Sequence, residues 1–437
     1  MSYLTTLQVP PAYQDAFGRL RVSEPRTLHD SNFYSNRHTH EWAELTSGGG
    51  AVAYTPGFPS VNLTSSGAAS RVVRQSRRYV PYQPGKSYLM FATGILEMSG
   101  GVAGTTARIG LFDDGADQTV GAQPGNGFFF QLVGTALSIV QRSGITGVQV
   151  DTVVPQSAWN VDKLDGTGRS GVTLNPGLRQ IYFVEMQWLG TGTVSMGVDV
   201  DRQLIICHEI QHANLPGTSA YTNRGSLPVR YELSSDGSGP AAEQRQICST
   251  VISEGGFDLF TPRSRTISVN RGNSAVTIGN TTETPILSVR LKALRNRTTL
   301  SPTHLGAIIT TSNGSMKISL YRFISPEAYG AGPLTGPAWT AANPSTVPTY
   351  TDISAAEYDL AATAVDLTNS VYPFILAHSF YFSTASNIGE LTSTDESLTL
   401  SADIQGRSDW YVVTARRVLT STGTDNVLAA MDWVETD

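Results

Sequence analysis

Short apolar runs bounded by Gly, Asp and Pro recur along most of the chain. Between residues 71 and 260 they include YLMFATGILEM, GFFFQLVG, QIYFVEMQWLG and TVSMGVDVD, and a second series from 261 to 437 includes PILSVRLKAL, GAIITTS, MKISLYRF and WYVVTARRV. Strands that recur about every 8 to 12 residues between turn signals are typical of a β-sandwich. The pattern predicts an all-β chain with two β-sandwich domains of jelly-roll or concanavalin-like character, over residues 71–260 and 261–437.

Residues 1–70 do not follow this pattern. They are rich in Gly, Ser, Pro and Asn, and their aromatic residues have no regular spacing, as in SGGGAVAYTPGFPSVNLTSSGAAS. A segment of this composition cannot bury enough apolar surface to fold by itself. We therefore predict an extended N-terminal arm that docks on a neighbouring subunit. The predicted docking residues are Phe17, Arg19, Arg21, Phe33, Tyr34 and Trp42.

The formal net charge is −6, and it is distributed unevenly. Residues 1–86 hold nine Lys and Arg against five Asp and Glu, a balance of +4, which leaves −10 for the rest of the chain. Within this basic part, RVVRQSRRYVPYQPGK mixes arginines with tyrosines, a combination found at nucleic-acid sites and at protein interfaces. Because the whole chain is acidic, we predict an interface with another subunit and no nucleic-acid binding. The predicted interface residues are Arg74, Arg77, Arg78, Tyr79 and Tyr82.

Cysteine usage and the lack of long apolar segments bear on the compartment. Only Cys207 and Cys248 are present, too few for a disulfide scaffold, which is typical of a reducing compartment. The start, MSYLTTLQVPPAYQ, lacks the basic and apolar regions of a signal peptide. No apolar run approaches the roughly 20 residues of a membrane-spanning helix. We expect synthesis in a cytoplasm without signal-directed export, and no membrane insertion.

The segment CHEIQHAN contains His208, Glu209 and His212 in the H-E-x-x-H order of zinc proteases. That motif binds zinc on a helix, where positions i and i+4 lie one turn apart on one face. Here VSMGVDVD alternates apolar and polar residues and leads through a tight turn into a second strand-like run. We predict a β-hairpin, with one face of the returning strand formed by Leu204, Ile206, His208 and Ile210. Four residues of a strand span about 13 Å, too far for two ligands of one zinc ion.

Glu232 follows His212 by 20 residues, which resembles the position of the third zinc ligand in thermolysin-like proteases. In those proteases both pieces lie on helices. The interval here contains Pro216 and Pro228, and it ends in LPVRYEL, which is strand-like. We therefore predict no zinc site at this motif. We also predict that the chain has no cofactor and no catalytic residues.

Four further sets of residues allow a functional interpretation beside a structural one. Two histidines in RHTHEW could join a metal site in an oligomer, and carboxylates in the loops FDDGADQ and WNVDKLDGTGRSG could bind calcium, although neither loop has the EF-hand spacing. Two glutamates could form a glycosidase pair, and two tryptophans could bind sugar if exposed. We favour arm, turn and core roles for all of them. These residues are His38 and His40, Asp113, Asp114 and Asp117, Asp162 and Asp165, Glu185 and Glu209, and Trp159 and Trp188.

Several blocks of the chain, taken in order, resemble a family of tailed-bacteriophage virion proteins. The blocks are DAFGRLRVSEPRTLHDSNF at residues 15–33, RQSRRYVPYQPGKS, WNVDKLDGTGRSG, QIYFVEMQWLGTGTVSMGV, HEIQHAN, LPVRYEL and QICSTVISEGG, within residues 10–260. The resemblance implies a non-enzymatic structural component of the virion, in the tail, baseplate or fibre. It also implies other virion proteins as partners and a homo-oligomer, for which the analogy with phage fibres favours a trimer.

Two other functions fit the same features. One is a capsid decoration protein, which shares the structural role but not the position. The other is a module that binds, or less readily hydrolyses, glycans of a host surface. Aromatic side chains exposed on one sandwich face, or carboxylates paired across a cleft, would favour the glycan module.

Overall fold

Two compact units make up the chain. The computed structural model describes residue 14 and residues 24–217, 219–256, 265–272, 274–310, 315–342, 354–368, 371–382, 389–392, 399–418 and 423–436. The first unit comprises residues 1–117 and 123–258, and the second comprises residues 118–122 and 259–437. The described residues form antiparallel strands and a few single-turn 3-10 helices, which confirms the all-β prediction. Among them, no helix has the length and apolar character needed to cross a membrane.

The described strands of the first unit form two sheets. One, the eight-stranded sheet, has the order β13-β12-β11-β6-β15-β4-β3, with β1 also paired to β15; the other, the seven-stranded sheet, has the order β10-β9-β8-β7-β14-β5-β2. The strands are β1 Pro25–Asn32, β2 Trp42–Ser47, β3 Ala51–Thr55, β4 Ser60–Thr64, β5 Ala69–Ser76, β6 Ser87–Ile95, β7 Thr105–Phe112, β8 Gly127–Val133, β9 Ala136–Ser143, β10 Val150–Pro155, β11 Gln180–Met186, β12 Val194–Val200, β13 Gln203–Ile210, β14 Val229–Asp236 and β15 Glu243–Glu254.

One hydrophobic core lies between these two sheets. On β14, Val229, Tyr231 and Leu233 are buried in this core, and Arg230 and Glu232 alternate with them toward the outer face of the sheet. Successive side chains of a strand point to opposite faces, so each strand supplies the core with every second residue. The remaining residues lie on the outer faces, as Arg230 and Glu232 do.

The predicted N-terminal arm is wrong for residues 25–64, which form strands β1 to β4 of the two sheets. β1 pairs with β15, and β2 pairs with β5 at the edge of the seven-stranded sheet. The loops between these strands carry the Gly, Ser and Pro that suggested an extended segment. β1 and β4 pair with β15, which lies far along the chain, whereas β3 pairs with β4 in a local hairpin of short strands. The local pattern therefore does not reveal how this segment joins the two sheets.

The predicted docking residues therefore have different environments. Phe33 and Trp42 are buried in the core of their own unit, and the Trp42 indole N–H donates a hydrogen bond to Ser31 Oγ at 2.8 Å. Tyr34 is exposed. The other three predicted docking residues, Phe17, Arg19 and Arg21, lie outside the described residues.

The hairpin predicted around H-E-x-x-H is formed by β12 and β13. Its turn residues Asp201 and Arg202 have φ of 52° and 69°, the left-handed pair of a type I′ turn, whose twist matches that of the flanking strands. A β-bulge at Cys207 changes the alternation, because Met196 pairs with His208 and Gly197 with Ile206. Ile205, Cys207 and Ile210 consequently contact the core. The predicted common face of Leu204, Ile206, His208 and Ile210 is therefore wrong.

The second unit is also built from two main sheets. The five-stranded sheet has the order β16-β28-β19-β26, with β17 paired to β28; the six-stranded sheet has the order β22-β23-β18-β27-β20-β25; and β21 pairs with β24. A second core, which includes Tyr411 and Trp433, lies between the main sheets. The described strands are β16 Arg265–Asn270, β17 Val276–Ile278, β18 Thr284–Leu291, β19 Thr299–Ile309, β20 Met316–Phe323, β21 Leu334–Thr335, β22 Thr340–Ala341, β23 Ala356–Asp359, β24 Ala364–Val365, β25 Phe374–Phe382, β26 Gly389–Thr392, β27 Trp410–Arg417 and β28 Asp425–Thr436.

The place of Trp42 in the core gives a direct test of the revised N-terminal region. We expect Trp42→Ala to lower the free energy of unfolding of the first unit by about 3–5 kcal/mol, because it removes a fully buried indole. Urea denaturation followed by circular dichroism measures this change. The matched control is Tyr34→Ala, which removes a side chain that is 77% exposed and should change stability by less than about 0.5 kcal/mol. Equal stability of the two variants would favour the docking arm again.

Candidate functional site

The H-E-x-x-H residues lie on a strand and in the loop after it. His208 is on β13, where its Nδ1 accepts a hydrogen bond from the Asn160 backbone N–H at 3.3 Å. His212 lies beyond the end of β13, and its ring stacks on that of Tyr221 with centroids 3.7 Å apart. Burial lowers the pKa of both histidines. Within the described ranges, no group of three His, Cys, Asp or Glu side chains that could hold a metal ion occurs.

Glu232 is the centre of a buried ion network on the outer face of the seven-stranded sheet. Its Oε1 accepts hydrogen bonds from Arg71 Nε at 3.1 Å and Arg108 Nη1 at 2.8 Å. Its Oε2 accepts from Arg230 Nε and Nη2 at 3.0 and 2.7 Å. The same Arg71 and Arg230 guanidinium groups also bind the Asp117 carboxylate. Strand register explains this contact set, because Glu232 on β14 faces Arg108 on β7.

Arg142 extends this network toward the edge of the sheet. Its guanidinium donates to both Asp151 oxygens, at 2.8 and 2.9 Å, and to Asp114 Oδ2 at 3.1 Å. The rings of Phe112 and Phe129 lie beneath, with centroids 4.2 Å apart, and Arg142 is within cation–π distance of both. Asp114 and Asp117 thus bind arginine side chains, and Asp113 Oδ1 accepts a hydrogen bond from the Asn126 backbone N–H at 2.7 Å. These contacts give the three carboxylates structural roles.

The network keeps Glu232 ionised and holds it in place. Burial alone would raise the pKa of Glu232, but the charges of Arg230, Arg108 and Arg71 outweigh burial and hold the pKa well below its usual range. All four hydrogen bonds to its two oxygens come from guanidinium groups, so this carboxylate is not available as a zinc ligand or as a general acid or base. We infer a structural role for it.

Part of the predicted basic interface is inside the first unit. Arg74 lies between Phe33 and Trp42, with its guanidinium carbon 5.1 and 5.3 Å from the two ring centroids. It also forms an ion pair with Glu44 at 3.3 Å. The alternation along β5 places Arg74 on the core side and Arg71 in the Glu232 network on the opposite face. Neither residue offers its side chain freely to a neighbouring subunit.

The tyrosines of the same segment are buried as well. The Tyr79 hydroxyl donates to Asp113 Oδ2 at 2.9 Å, and Tyr82 packs edge-on against neighbouring aromatic rings. Arg77 and Arg78 are partly exposed. The predicted interface therefore needs correction at Arg74, Tyr79 and Tyr82, because a surface of the folded unit cannot include side chains that its own core encloses.

Glu185 and Glu209 lie in one row on the outer face of the eight-stranded sheet. Both pair with Ser195, from opposite sides of β12. Their backbones are therefore about 10 Å apart, at about 4.8 Å per strand. Glu185 is buried, so this pair does not present two accessible carboxylates to a substrate.

The other candidates of the first unit have structural environments. Asp162 accepts backbone N–H bonds from Leu164 at 2.9 Å and Ser170 at 2.7 Å, and Asp165 accepts one from Thr167 at 2.9 Å, which are turn contacts. Trp159 is buried in the core, and Trp188 is partly buried and packs against the same core, as predicted. His38 and His40 precede β2 in a turn.

A different arrangement occurs on the outer face of the six-stranded sheet in the second unit. We call it the Trp339 cluster, and it consists of Arg290, Glu327, Trp339, Glu357 and Trp410. Cross-strand register places Arg290 on β18 between Trp410 on β27 and Glu357 on β23. Glu327 lies in the 3-10 turn Pro326–Ala328, and Trp339 directly precedes β22.

Arg290 holds the cluster together. Its Nε donates to Glu357 Oε1 at 2.5 Å, and its Nη1 donates to Glu327 Oε1 at 2.6 Å. Its guanidinium carbon lies 4.2 Å from the Trp339 ring centroid and 5.3 Å from that of Trp410. The two indole rings meet nearly edge to face, with centroids 4.9 Å apart. Charge and aromatic packing therefore fix one orientation of each side chain.

The cluster still has unused hydrogen-bonding atoms at the surface. The side chains of Arg290, Glu327 and Glu357 are 20, 30 and 21% exposed, and Trp339 is half-buried. Counting described residues alone, Arg290 Nη2 and the Oε2 atoms of Glu327 and Glu357 have no hydrogen-bond partner. A preorganised aromatic ring with open donors and acceptors beside it is the arrangement of a small polar-ligand site.

Gly332 packs directly against the Trp410 ring of this cluster. Its φ is +97°, and a Cβ at this position would lie 2.3 Å from the Trp410 ring. Only glycine allows both the left-handed backbone and this close approach. The loop can thus pack on Trp410 and leave Trp339 at the surface.

Local sequence patterns do not show that the residues of the Trp339 cluster come together. Arg290 and Glu357 come from strands that are 67 residues apart, and each reads alone as an ordinary charged strand residue. The one visible signal is Trp339 in GPAWTAAN, a tryptophan within a Pro- and Gly-rich connection. The Arg partners of Glu232 were missed for the same reason, since long-range register decides which charges meet.

Comparisons with known proteins give distant structural similarity. No family profile and no curated protein sequence matches the chain. The endo-β-1,4-glucuronan lyase of Trichoderma reesei is 12% identical with a TM-score of 0.36, covering 52% of this chain and 95% of that one. The carbohydrate recognition domain of Emp47p is 12% identical with a TM-score of 0.33, covering 53% and 97%. The catalytic domain LamA of Zobellia galactanivorans is 8% identical with a TM-score of 0.34, covering 52% and 96%. Similarity at this level carries no information about function.

The Glu232 network predicts a pH dependence of stability. Because the pKa of Glu232 is lower in the folded protein than in the unfolded chain, its contribution is complete above the unfolded pKa of about 4.3 and is lost as pH falls below that value. We expect Glu232→Gln to lower the free energy of unfolding at neutral pH by about 3–5 kcal/mol, because it removes the buried anion that three arginines share. Among the described residues, Arg108 then has no ion-pair partner, and Arg71 and Arg230 each lose one. The deficit should shrink progressively as pH falls below about 5 in denaturation experiments, and it should continue to shrink toward the lowered pKa of the folded protein.

Glu209→Gln is the matched control, because it alters a partly exposed glutamate of the same unit. Its stability should parallel that of the wild type at each pH. If Glu232→Gln keeps a constant deficit over the whole pH range, the network does not act through the ionised carboxylate.

Proposed function

We propose that this protein binds glycan without catalysis, through the Trp339 cluster of its second unit. The observation that carries the proposal is the half-exposed Trp339 ring beside one guanidinium and two carboxylates that each keep an open hydrogen-bonding atom. The apolar face of a sugar ring packs on an aromatic side chain, and its hydroxyls pair with fixed charged donors and acceptors. Because the cluster is held by its own contacts, little ordering is needed on binding.

The arrangement of the carboxylates favours binding over hydrolysis. A glycosidase places two carboxyl groups on opposite sides of the bond that it breaks, so that one can protonate the leaving group. Glu327 and Glu357 instead bind the same Arg290 guanidinium. In the first unit, Glu232 and Asp117 are likewise occupied by arginines. Paired in this way, these groups suit the recognition of hydroxyls.

We further propose that the protein is a structural component of a bacteriophage virion, in the tail, baseplate or fibre. The support is the ordered set of sequence blocks between residues 10 and 260 that resembles phage virion proteins. A homo-oligomer on the particle would present several copies of the Trp339 cluster to a host surface, and several weak sites acting together raise the overall affinity.

Substitutions in the cluster test the glycan proposal. We expect Trp339→Ala and Glu357→Gln each to weaken binding about tenfold or more, because each removes stacking or a charged hydrogen bond worth about 1.5 kcal/mol or more. A glycan array of host surface oligosaccharides identifies the ligand, and calorimetry with that ligand measures the loss. Circular dichroism checks that both variants are folded.

The matched control for Trp339→Ala is Tyr34→Ala, which removes an exposed aromatic side chain from the first unit. This control should bind like the wild type. Unchanged binding by both cluster variants, or no binding of any arrayed glycan by the wild type, would contradict the proposal.

The virion proposal is tested with a truncation that spares all described strands. Deletion of residues 1–23 removes Phe17, Arg19 and Arg21 and stops before β1 at Pro25. We expect a folded protein that is no longer incorporated, because the block DAFGRLRVS begins at residue 15. Mass spectrometry of purified particles from a complementation assay measures incorporation. The control is the full-length chain supplied in the same way. Normal incorporation of the truncated chain would show that these residues do not dock the protein.

A further inference from the structure

A second charged group lies farther along the outer face that carries the Trp339 cluster. We call it the Lys317 cluster, and it consists of Glu283, Lys317, Thr414, Arg416 and Tyr381. Lys317 on β20 pairs in register with Arg416 on β27 and with Tyr381 on β25. The intervening residues of β20 and β27 point into the core of the unit. These three side chains therefore lie in one row on the outer face.

The Lys317 cluster has an excess of positive charge. Lys317 and Arg416 are directly opposite each other, which is destabilising for like charges unless an anion lies between them. Glu283 supplies one carboxylate for the two cations, and its Oε2 already accepts a hydrogen bond from Thr414 Oγ1 at 2.5 Å. Two cations and one anion leave a balance of +1.

The weaker of the two ion pairs is that of Lys317. Arg416 Nε approaches Glu283 Oε1 to 3.2 Å, whereas Lys317 Nζ stays 3.7 Å from the same oxygen, beyond hydrogen-bond distance. The Lys317 side chain is only 12% exposed. Considering the described residues, its ammonium group donates no hydrogen bond to the protein. A largely desolvated ammonium that has one long ion pair and no hydrogen bond is costly, and an anionic ligand group would lower that cost.

Two features connect this site with a glycan. Tyr381, next to Lys317 in the same row, is 64% exposed and offers a ring on which a sugar can pack. Trp410 of the Trp339 cluster and Arg416 are six residues apart on β27, which corresponds to about 20 Å at 3.3 Å per residue. Both groups lie on the same face, and an oligosaccharide is long enough to reach from one to the other.

We propose that the ligand is an acidic oligosaccharide, whose carboxylate or sulfate group binds Lys317 and Arg416 while a neutral sugar residue packs on Trp339. This inference rests on the proposed glycan binding and adds the charge class of the ligand. Carboxylate and sulfate share the chemistry that the two cations recognise, namely a compact anion that accepts several hydrogen bonds. Affinity for such a ligand should therefore fall as salt concentration rises.

The test compares acidic oligosaccharides with neutral counterparts of the same backbone. The probes are tetragalacturonate and its methyl ester, and a sulfated tetrasaccharide and its desulfated form, titrated calorimetrically into the full-length protein. We expect the wild type to bind one acidic probe about tenfold more tightly than its neutral counterpart, as one charged hydrogen bond provides. The pair of probes that shows this preference identifies whether the recognised anion is a carboxylate or a sulfate. Equal affinity for the acidic and neutral members of both pairs would overturn the inference.

Lys317→Met removes the charge and keeps the length of the side chain. We expect it to abolish the preference for the acidic probe and to leave affinity for the neutral probe unchanged. Arg416→Gln provides a second variant, with the same expectation, in case the first does not fold. The control is Lys163→Met, which removes an exposed lysine of the first unit and should keep the preference. A preference that survives both cluster variants would overturn the inference.

Failure of this inference can be distinguished from failure of the proposed function. Loss of binding of both probe types by Trp339→Ala, together with an unaltered preference in Lys317→Met, would retain glycan binding and overturn the acidic ligand. Absence of binding to every probe and every arrayed glycan would overturn both.

Discussion

The period-two alternation of side chains along a strand is the constraint on which both units depend. In a two-layer sandwich, alternate residues fill the core, and the others must lie on an outer face whatever their chemistry. On β14 this rule separates Tyr231 in the core from Arg230 and Glu232 outside. On β27 it separates Tyr411 and Val413 from Trp410 and Arg416. Glu232 and Arg290 therefore lie with their charged partners on outer sheet faces, whereas Arg74 is enclosed on the core side.

The outer faces of the seven-stranded and six-stranded sheets differ in how many of their charged atoms are hydrogen-bonded. Glu232 receives hydrogen bonds from three guanidinium groups on both of its oxygens, and removing one partner of such a buried group costs about 3–5 kcal/mol. That face is tied to the stability of the first unit. In the Trp339 cluster, one guanidinium serves two partly exposed carboxylates, each through a single oxygen. The unused atoms make that face suited to a ligand.

Local sequence patterns predicted the elements whose evidence is local. The hairpin β12–β13 follows from the alternation in VSMGVDVD and the turn at Asp201 and Arg202, so the strand interpretation of H-E-x-x-H did not need the structure. The bulge at Cys207 could not be predicted, because it depends on the fit of β13 against β12. It was enough to change which residues of β13 share a face.

Contacts between distant strands limited the prediction elsewhere. Residues 25–64 resemble an arm because they are rich in Gly, Ser and Pro and their aromatic residues have no regular spacing. Trp42 nevertheless completes the core through partners such as Tyr231. Arg74 read as an interface arginine because nothing in its neighbourhood shows that β5 turns it toward Phe33 and Glu44. Charge in a sequence shows that a partner is needed, and only register shows which partner.

The same alternation separates the outward charged residues of the second unit from its core residues. Exchanging an outward residue of β18, β20 or β27 alters the outer face and leaves the core residues between them in place. Arg290, Lys317 and Arg416 are all such outward residues, one on each of these strands. A binding surface built in this way can change its charge or length without a change of fold. That independence allows the outer face of a β-sandwich to vary in its chemistry while the core between the sheets stays the same.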